Sequence, residues 1–458
     1  MLFRSDIMKT FLRIIAALVV LGVIALLAII FVPVQRTKPT QDLAANWTPE
    51  KGAPLYAALM ADCAACHTAK DGKPFAGGKA IESPMGAIYA SNITPDKKTG
   101  IGNWSLDDFR AALVDGVDDE GHHLYPAMPY ENYRHLSETD IRALYAYFMN
   151  DVKPVENDVP QTALAFPFNQ RWGIRLWNWV ALDTPGFHPS DVVADDDQLA
   201  RGAYLVQGPG HCAACHSPRN AIMAEDGKTA ASDSFLSGGE VGGWSAPDLR
   251  HAGAPAQMWS ADQLKAYLTT GRNAHSAVTG EMGLAVEHSL QYMNDADADA
   301  MVAYLHKIRL GQPPSGANPQ MTAEDPAQLP NRVTRVDSAR DKTSAMLVAG
   351  KDLSPGARLY MDNCAACHFS DGKGAPGVFP SLGGNSIVTA DQTTGLIDVI
   401  LNGAAMPSTA KRPEAFKMPG FAHRLSDEDV AQIASFLRTA WGNDAGSVDA
   451  AAVAKLRQ

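Results

Sequence analysis

Apolar residues fill positions 14–34 almost without interruption, broken only by Gly22 and Pro33. As a helix, these 21 residues rise ~31 Å, about one bilayer core. A cleaved signal has a shorter apolar core, roughly 7–15 residues, and ends on small residues. Here the run ends Phe31-Val32-Pro33-Val34-Gln35-Arg36, a poor cleavage site. A retained anchor over residues 1–36 is therefore favoured over a cleaved signal. Arg4, Lys9 and Arg13 precede the run and hold its N-terminus in the cytoplasm by the positive-inside rule. Everything after about residue 36 is then expected in the periplasm.

Past the anchor the apolar spacing turns helical, and the pattern occurs three times. Each unit opens on a helix-like stretch: Gly52-Ala53-Pro54-Leu55-Tyr56, Gly202-Ala203-Tyr204-Leu205 and Gly356-Ala357-Arg358-Leu359-Tyr360. Each closes on an amphipathic helix, running to Tyr147 and Phe148, to Tyr304 and Leu305, and to Phe436 and Leu437. Ser137, Asn294 and Ser426 stand at the starts as N-caps, and the acids behind them suit the positive end of the helix dipole. The expected units cover residues 45–155, 195–312 and 346–445. Residues 313–345 form a Pro-rich linker, a semi-rigid spacer. Residues 156–194 form a Trp-rich linker holding Trp172, Trp177 and Trp179 of the chain's eight tryptophans. It has two open readings: a strap packed over the first or second unit, or an interface with a membrane surface, a quinone pocket or a partner subunit. No strand-rich stretch is evident, so the expected fold is mostly α with long loops.

Composition narrows the function. With 39 basic and 50 acidic residues the formal net charge is −11. That excludes nucleic acid as a partner, since phosphates need a basic surface. All six cysteines fall in one motif used three times: Cys63-Ala-Ala-Cys66-His67, Cys212-Ala-Ala-Cys215-His216 and Cys364-Ala-Ala-Cys367-His368. None is left over for a disulfide. C-x-x-C-H is the attachment pattern of c-type haem: two thiols form thioethers, and the next residue places its imidazole under the iron. A thioredoxin-like C-x-x-C needs no following histidine, and a zinc site needs four ligands where each block offers three. Three covalently bound haem c groups are therefore expected, attached outside the cytoplasm.

A c-type haem that only passes electrons keeps six ligands, and methionine opposite histidine raises the potential. Position selects among the 16 methionines. Met128 lies 61 residues after His67, Met282 lies 66 after His216, and Met418 lies 50 after His368. All three precede the capped closing helix, which predicts a ligand loop at each place. Met406, also followed by proline, is the rival in the third unit. Ser91-Asn92-Ile93, Pro247-Asp248-Leu249 and Pro380-Ser381-Leu382 are expected to offer a backbone carbonyl to the histidine Nδ1 proton, or to be ordinary loops. The other ten histidines are read as surface or loop residues.

Several stretches carry a family resemblance. They are Ser83-Pro84-Met85-Gly86-Ala87-Ile88-Tyr89, Ser91-Asn92-Ile93-Thr94-Pro95-Asp96, Gly100-Ile101-Gly102 and Leu124-Tyr125-Pro126-Ala127-Met128-Pro129-Tyr130 in the first unit. Thr270-Gly271-Arg272-Asn273 with His275-Ser276-Ala277, and Met418-Pro419-Gly420-Phe421, add the second and third. Over nearly all of residues 45–445 the chain resembles the triple-haem cytochrome c subunit of membrane-bound alcohol and aldehyde dehydrogenases of acetic acid bacteria and related proteobacteria. The resemblance implies a mainly α fold: three tandem class I cytochrome c domains behind one N-terminal transmembrane helix.

The resemblance also implies a function. The chain would be an electron-transfer subunit in the inner membrane, not itself an enzyme, passing electrons from a catalytic partner to ubiquinone or the respiratory chain. Partners in the family are quinoprotein alcohol dehydrogenases, flavin-dependent polyol dehydrogenases and molybdopterin aldehyde dehydrogenases. The retained anchor tilts the expectation toward the molybdopterin aldehyde class. Two rivals remain: the haem c arm of a terminal oxidase, discriminated by co-purification with a haem–copper subunit, and a cytochrome c peroxidase-like enzyme, discriminated by a high-spin ferric band.

Overall fold

The computed structural model describes residues 2–44, 46–83, 85–189, 193, 195–311 and 341–457. Residues 313–340 of the expected Pro-rich linker lie outside the described residues. The chain begins with one helix, Leu2–Phe31, whose segment Thr10–Phe31 is long and apolar enough to cross a membrane and has none of its span buried. Arg36 follows it and pairs with Asp108 at 2.6 Å. The Thr37 amide and hydroxyl then donate to Asp115 at 2.9 and 2.5 Å, which fastens the end of the anchor to the first unit.

Each unit has an opening helix, a short helical turn carrying the C-x-x-C-H motif, and a closing helix. The opening helices are Ala53–Met60, Asp197–Gln207 and Pro355–Asn363; the closing ones are Glu138–Asn150, Asp295–Lys307 and Asp427–Leu437. Ser137, Asn294 and Ser426 cap the closing helices as their sequence positions predict, each side chain accepting from the amide three residues on. A middle helix stands between motif and closing helix: Leu106–Asp115, Ala261–Thr270 and Thr394–Asn402. The first two end on Gly116 and Gly271 in the left-handed conformation, where glycine has no Cβ to clash. Among the described residues, strands are confined to three two-stranded hairpins: Ala80–Ile81 with Ile88–Tyr89, Gly239–Val241 with Trp244–Ala246, and Gly403–Ala405 with Lys417–Pro419.

Opening and closing helices cross at backbone distance in the second and third units. A Cβ on Gly202 would lie 2.1 Å from the Ala300 carbonyl oxygen, and one on Gly356 would lie 2.2 Å from that of Gln432. Units one and two share a single core that includes Leu144, Phe148, Leu205 and Tyr304, while unit three has its own core around Tyr360, Val430 and Ile433. The first two units meet by a reciprocal contact. Tyr56 of the first opening helix donates to Asp297 of the second closing helix at 2.5 Å, and Tyr204 of the second opening helix donates to Asp140 of the first closing helix.

The Trp-rich linker contains a helix, Trp172–Ala181, one face of which packs on the units as the strap reading expects. Its Ile174, Asn178 and Ala181 are buried, and Trp177 Nε1 donates to the Ile222 carbonyl of unit two at 2.8 Å. Its other face leaves Trp179 63% and Val180 75% exposed, with Phe166 just ahead at 80%. Arg175 turns to the anchor, donating to the carbonyls of Ile29 and Val32 at 2.9 and 2.5 Å and of Pro33 at 3.2 Å.

Candidate haem c sites

The motif turns Cys63–His67, Ala213–His216 and Ala365–His368, the last two preceded by Cys212 and Cys364 as their N-caps, place two thiols and an imidazole on one short stretch in every unit. No disulfide joins any of the six cysteines. Burial pushes the thiols of Cys63, Cys212 and Cys364 up to about 12, so each is held as a neutral SH. His67 Nδ1 lies 2.7 Å from the Ser91 carbonyl oxygen, His216 Nδ1 2.8 Å from that of Pro247, and His368 Nδ1 3.0 Å from that of Pro380. These carbonyls are in the three segments singled out by sequence. Nδ1 therefore donates its proton, and Nε2 is left as the free lone pair that a metal needs. Burial lowers all three histidines below their ordinary range, which keeps the imidazoles neutral. The donor set in each unit, two unpaired thiols and one oriented neutral imidazole, fits a covalently held haem.

The methionines sit in three different local structures. Met128 is on an irregular turn against the shared core, its amide donating to the Tyr125 carbonyl at 3.3 Å. Met282 is not on a loop as expected but inside a helix, Gly280–His288. That helix starts where Gly280, at φ 57°, lies flat on the Trp244 ring, a contact a side chain would block. Met418 is in a strand, paired with Ala404 and packed on the third unit's core. Its rival Met406 faces unit two, where Arg272 Nη1 stands 3.4 Å from its sulfur.

Neighbouring sites are joined by direct contact. Helix Gly280–His288 of unit two packs on the motif turn of unit one, and Lys79 reaches Glu281 at 3.4 Å. Cys66 lies close enough to Cys215 to help raise its thiol, after burial has done most of it. On the other side, the His275 carbonyl accepts from the Ser381 amide at 2.9 Å, one residue beyond the Pro380 carbonyl that holds His368.

Sequence reasoning missed the charged groups that hold these interfaces. Arg272 is buried between units two and three, over the Phe416 ring at 4.9 Å. Glu131 and Asn132 of unit one meet Glu225, Arg219 and Lys228 of unit two in a buried cluster, with Lys228 Nζ 3.1 Å from Glu131 and Asn132 Nδ2 donating to Glu225 at 3.2 Å. Arg272 stands in a stretch that carries the resemblance, but Glu131, Asn132, Arg219, Glu225 and Lys228 are isolated polar positions with no local pattern to mark them.

The cytochrome c family matches residues 49–150, 199–309 and 353–441, one match over each motif. The chain is 41% identical to the cytochrome c subunit of the quinone alcohol dehydrogenase of Gluconobacter oxydans, over 88% of this chain and 81% of that one. It is 40% identical to the cytochrome c subunit of gluconate 2-dehydrogenase of Pantoea cypripedii, over 88% of each. It is 39% identical to the cytochrome subunit of fructose dehydrogenase of Gluconobacter japonicus, over 95% of this chain and 87% of that one. Three cytochrome c domains in tandem, matched nearly end to end by such subunits, place this chain in the cytochrome c family as an electron-transfer subunit of a membrane-bound dehydrogenase complex.

Proposed function

We propose that this chain carries three covalent haem c groups in a relay from a catalytic dehydrogenase subunit to ubiquinone. Cys63 and Cys66, Cys212 and Cys215, and Cys364 and Cys367 would hold them, with His67 and Met128, His216 and Met282, and His368 and Met418 as axial ligands. The observation that carries this reading is the same histidine-to-carbonyl bond in all three units. Bound haem supplies one-electron chemistry at iron. The chain's own residues fix the imidazoles and hold neighbouring units together at Glu281 and at Ser381.

The domains are taken as residues 45–155, 195–312 and 346–445, joined by 156–194 and 313–345. The anchor is retained and single-pass, N-terminus inside, with the haem domains periplasmic; the contacts of Arg175, Arg36 and Thr37 around its end support this. As partner, a subunit that oxidises an alcohol, a sugar or a sugar acid is favoured by the relatives named above, over the molybdopterin aldehyde dehydrogenase that the anchor alone would favour. The oxidase arm and the peroxidase are set aside, since those relatives serve dehydrogenases and each unit offers a methionine.

The test is reconstitution. The purified full chain should oxidise no alcohol or aldehyde by itself, and adding its co-purifying dehydrogenase should restore substrate-driven haem reduction. Substrate oxidation by the chain alone would overturn the proposal.

A further inference from the structure

Where the anchor, the helix Trp172–Ala181 and the Met128 turn converge, two buried nitrogens have no partner among the described residues: His123 Nε2 and Arg175 Nε. His123 is only 6% exposed. Asn178 fixes its tautomer. The Asn178 carbonyl oxygen accepts from Tyr130 at 3.0 Å, and its amide nitrogen donates to the Asp115 carbonyl at 3.1 Å. That amide also faces His123 Nδ1 at 3.4 Å. Nδ1 is thus an acceptor, and the proton of the neutral ring is on Nε2. Burial, then the charges of Arg175 and Arg171, lower His123 to about 4, so the ring stays neutral at physiological pH. An unpaired buried N–H costs free energy comparable to a lost hydrogen bond, which argues for an acceptor that arrives from outside.

The surroundings define that acceptor. Arg175 bonds the last carbonyls of the candidate membrane span, so the site is at the level where that span ends. The helix that carries Arg175 packs on the span's helix, Arg175 stands over the Trp179 ring at 5.8 Å, and Trp179 and Val180 are exposed, an aromatic and apolar face of the kind that suits a lipid boundary. Met128, the proposed axial ligand of the first haem, is five residues along the chain from His123. Tyr125 on that turn lies under the Arg171 guanidinium at 5.1 Å. A molecule reaching this place needs an apolar tail, hydrogen-bond acceptors on its head, and redox chemistry.

We propose that a quinone head group binds at this junction, with His123 Nε2–H donating to one of its carbonyl oxygens and Arg175 Nε–H nearby. The proposal rests on the reading of ubiquinone as acceptor, and adds where it binds and which unit serves it. His123 is a positioning donor. Two electrons and two protons convert quinone to quinol; the haems supply the electrons one at a time and the periplasm supplies the protons.

The test runs the exchange in reverse. Oxidised full-length protein in detergent is mixed with a short-chain ubiquinol, and haem reduction is followed in the α-band. His123→Phe should slow quinol-driven reduction about ten-fold, while reduction by ascorbate and the methionine-to-iron charge-transfer band stay as in the wild type. His123→Gln, which keeps an N–H donor, should recover most of the rate. A wild-type quinol rate in His123→Phe, or an equal loss in both variants, would overturn the site. A wild-type protein whose haems do not react with quinol would overturn the quinone reading itself. In the unmutated protein, an azido-ubiquinone should label the helix Trp172–Ala181 or the turn around Met128; labelling confined to unit three would also sink the proposal.

Discussion

Met406 and Met418 differ little as local sequence, since each precedes a proline. Spacing separates them: Met418 lies 15 residues beyond Gly403 and Met406 only 3. Packing supports the same choice, because the Met406 sulfur is engaged by Arg272 while Met418 rests on the core of its own unit. Met418→Ala should therefore convert the third haem to a high-spin or water-ligated form, abolish its sulfur-to-iron charge-transfer band and lower its potential. Met406→Ala should leave that band intact; near-infrared spectra of the two variants decide. Cysteines and histidines were legible because thioether attachment and proximal ligation need contiguous residues. The methionines are harder to assign, since a ligand from the far side of a haem would have no fixed local pattern. Met282 shows the consequence: a turn of helix, seeded where Gly280 meets Trp244, stands where a loop was expected.

At the scale of elements, the caps Ser137, Asn294 and Ser426 were readable, because capping is satisfied within a few residues. The helix crossings were not. Gly202 and Gly356 were visible only as members of a repeat; their function is to let one helix backbone approach the next. In unit one, the counterpart Gly52 has open space around its Cβ position and starts the helix instead. Gly202→Ala and Gly356→Ala should each destabilise by about 1–3 kcal/mol or more through overpacking. Gly173→Ala, where nothing lies within 4 Å, should leave stability unchanged or slightly raised. Urea titrations of the haem-loaded protein compare the three, and an unchanged midpoint in Gly202→Ala would contradict the close crossing.

Across the whole molecule, units one and two behave as one body because they share a core, exchange tyrosine–aspartate bonds and bury Glu131 and Glu225 together. Burial first, then the neighbouring Glu131, pushes Glu225 up to about 7 from an ordinary 4.5. The folded protein therefore keeps this proton after the unfolded chain has lost it. The associated stability is fully present below about pH 4.5, declines as pH rises toward 7, and is absent above. Glu225→Gln, which keeps an acceptor for Asn132, should remove that decline. The variant should exceed the wild type by up to about 3 kcal/mol at pH 8, with the difference vanishing near pH 4.5. Thermal midpoints of the pair across this range make the measurement, and a pH-independent difference would refute the assignment.

Four things were already written in the order of residues: the three C-x-x-C-H motifs, the number of units, the apolar span and the helix starts. Each of these is encoded over a few adjacent residues by bond geometry, helix period or capping. Folding settles how the units join, that Met406 meets Arg272 across an interface, and that the tryptophan-rich segment grips the anchor with Arg175 while His123 Nε2 has no partner among the described residues. Those outcomes depend on groups tens to more than a hundred residues apart, whose desolvation and charge balance exist only once the chain has brought them together.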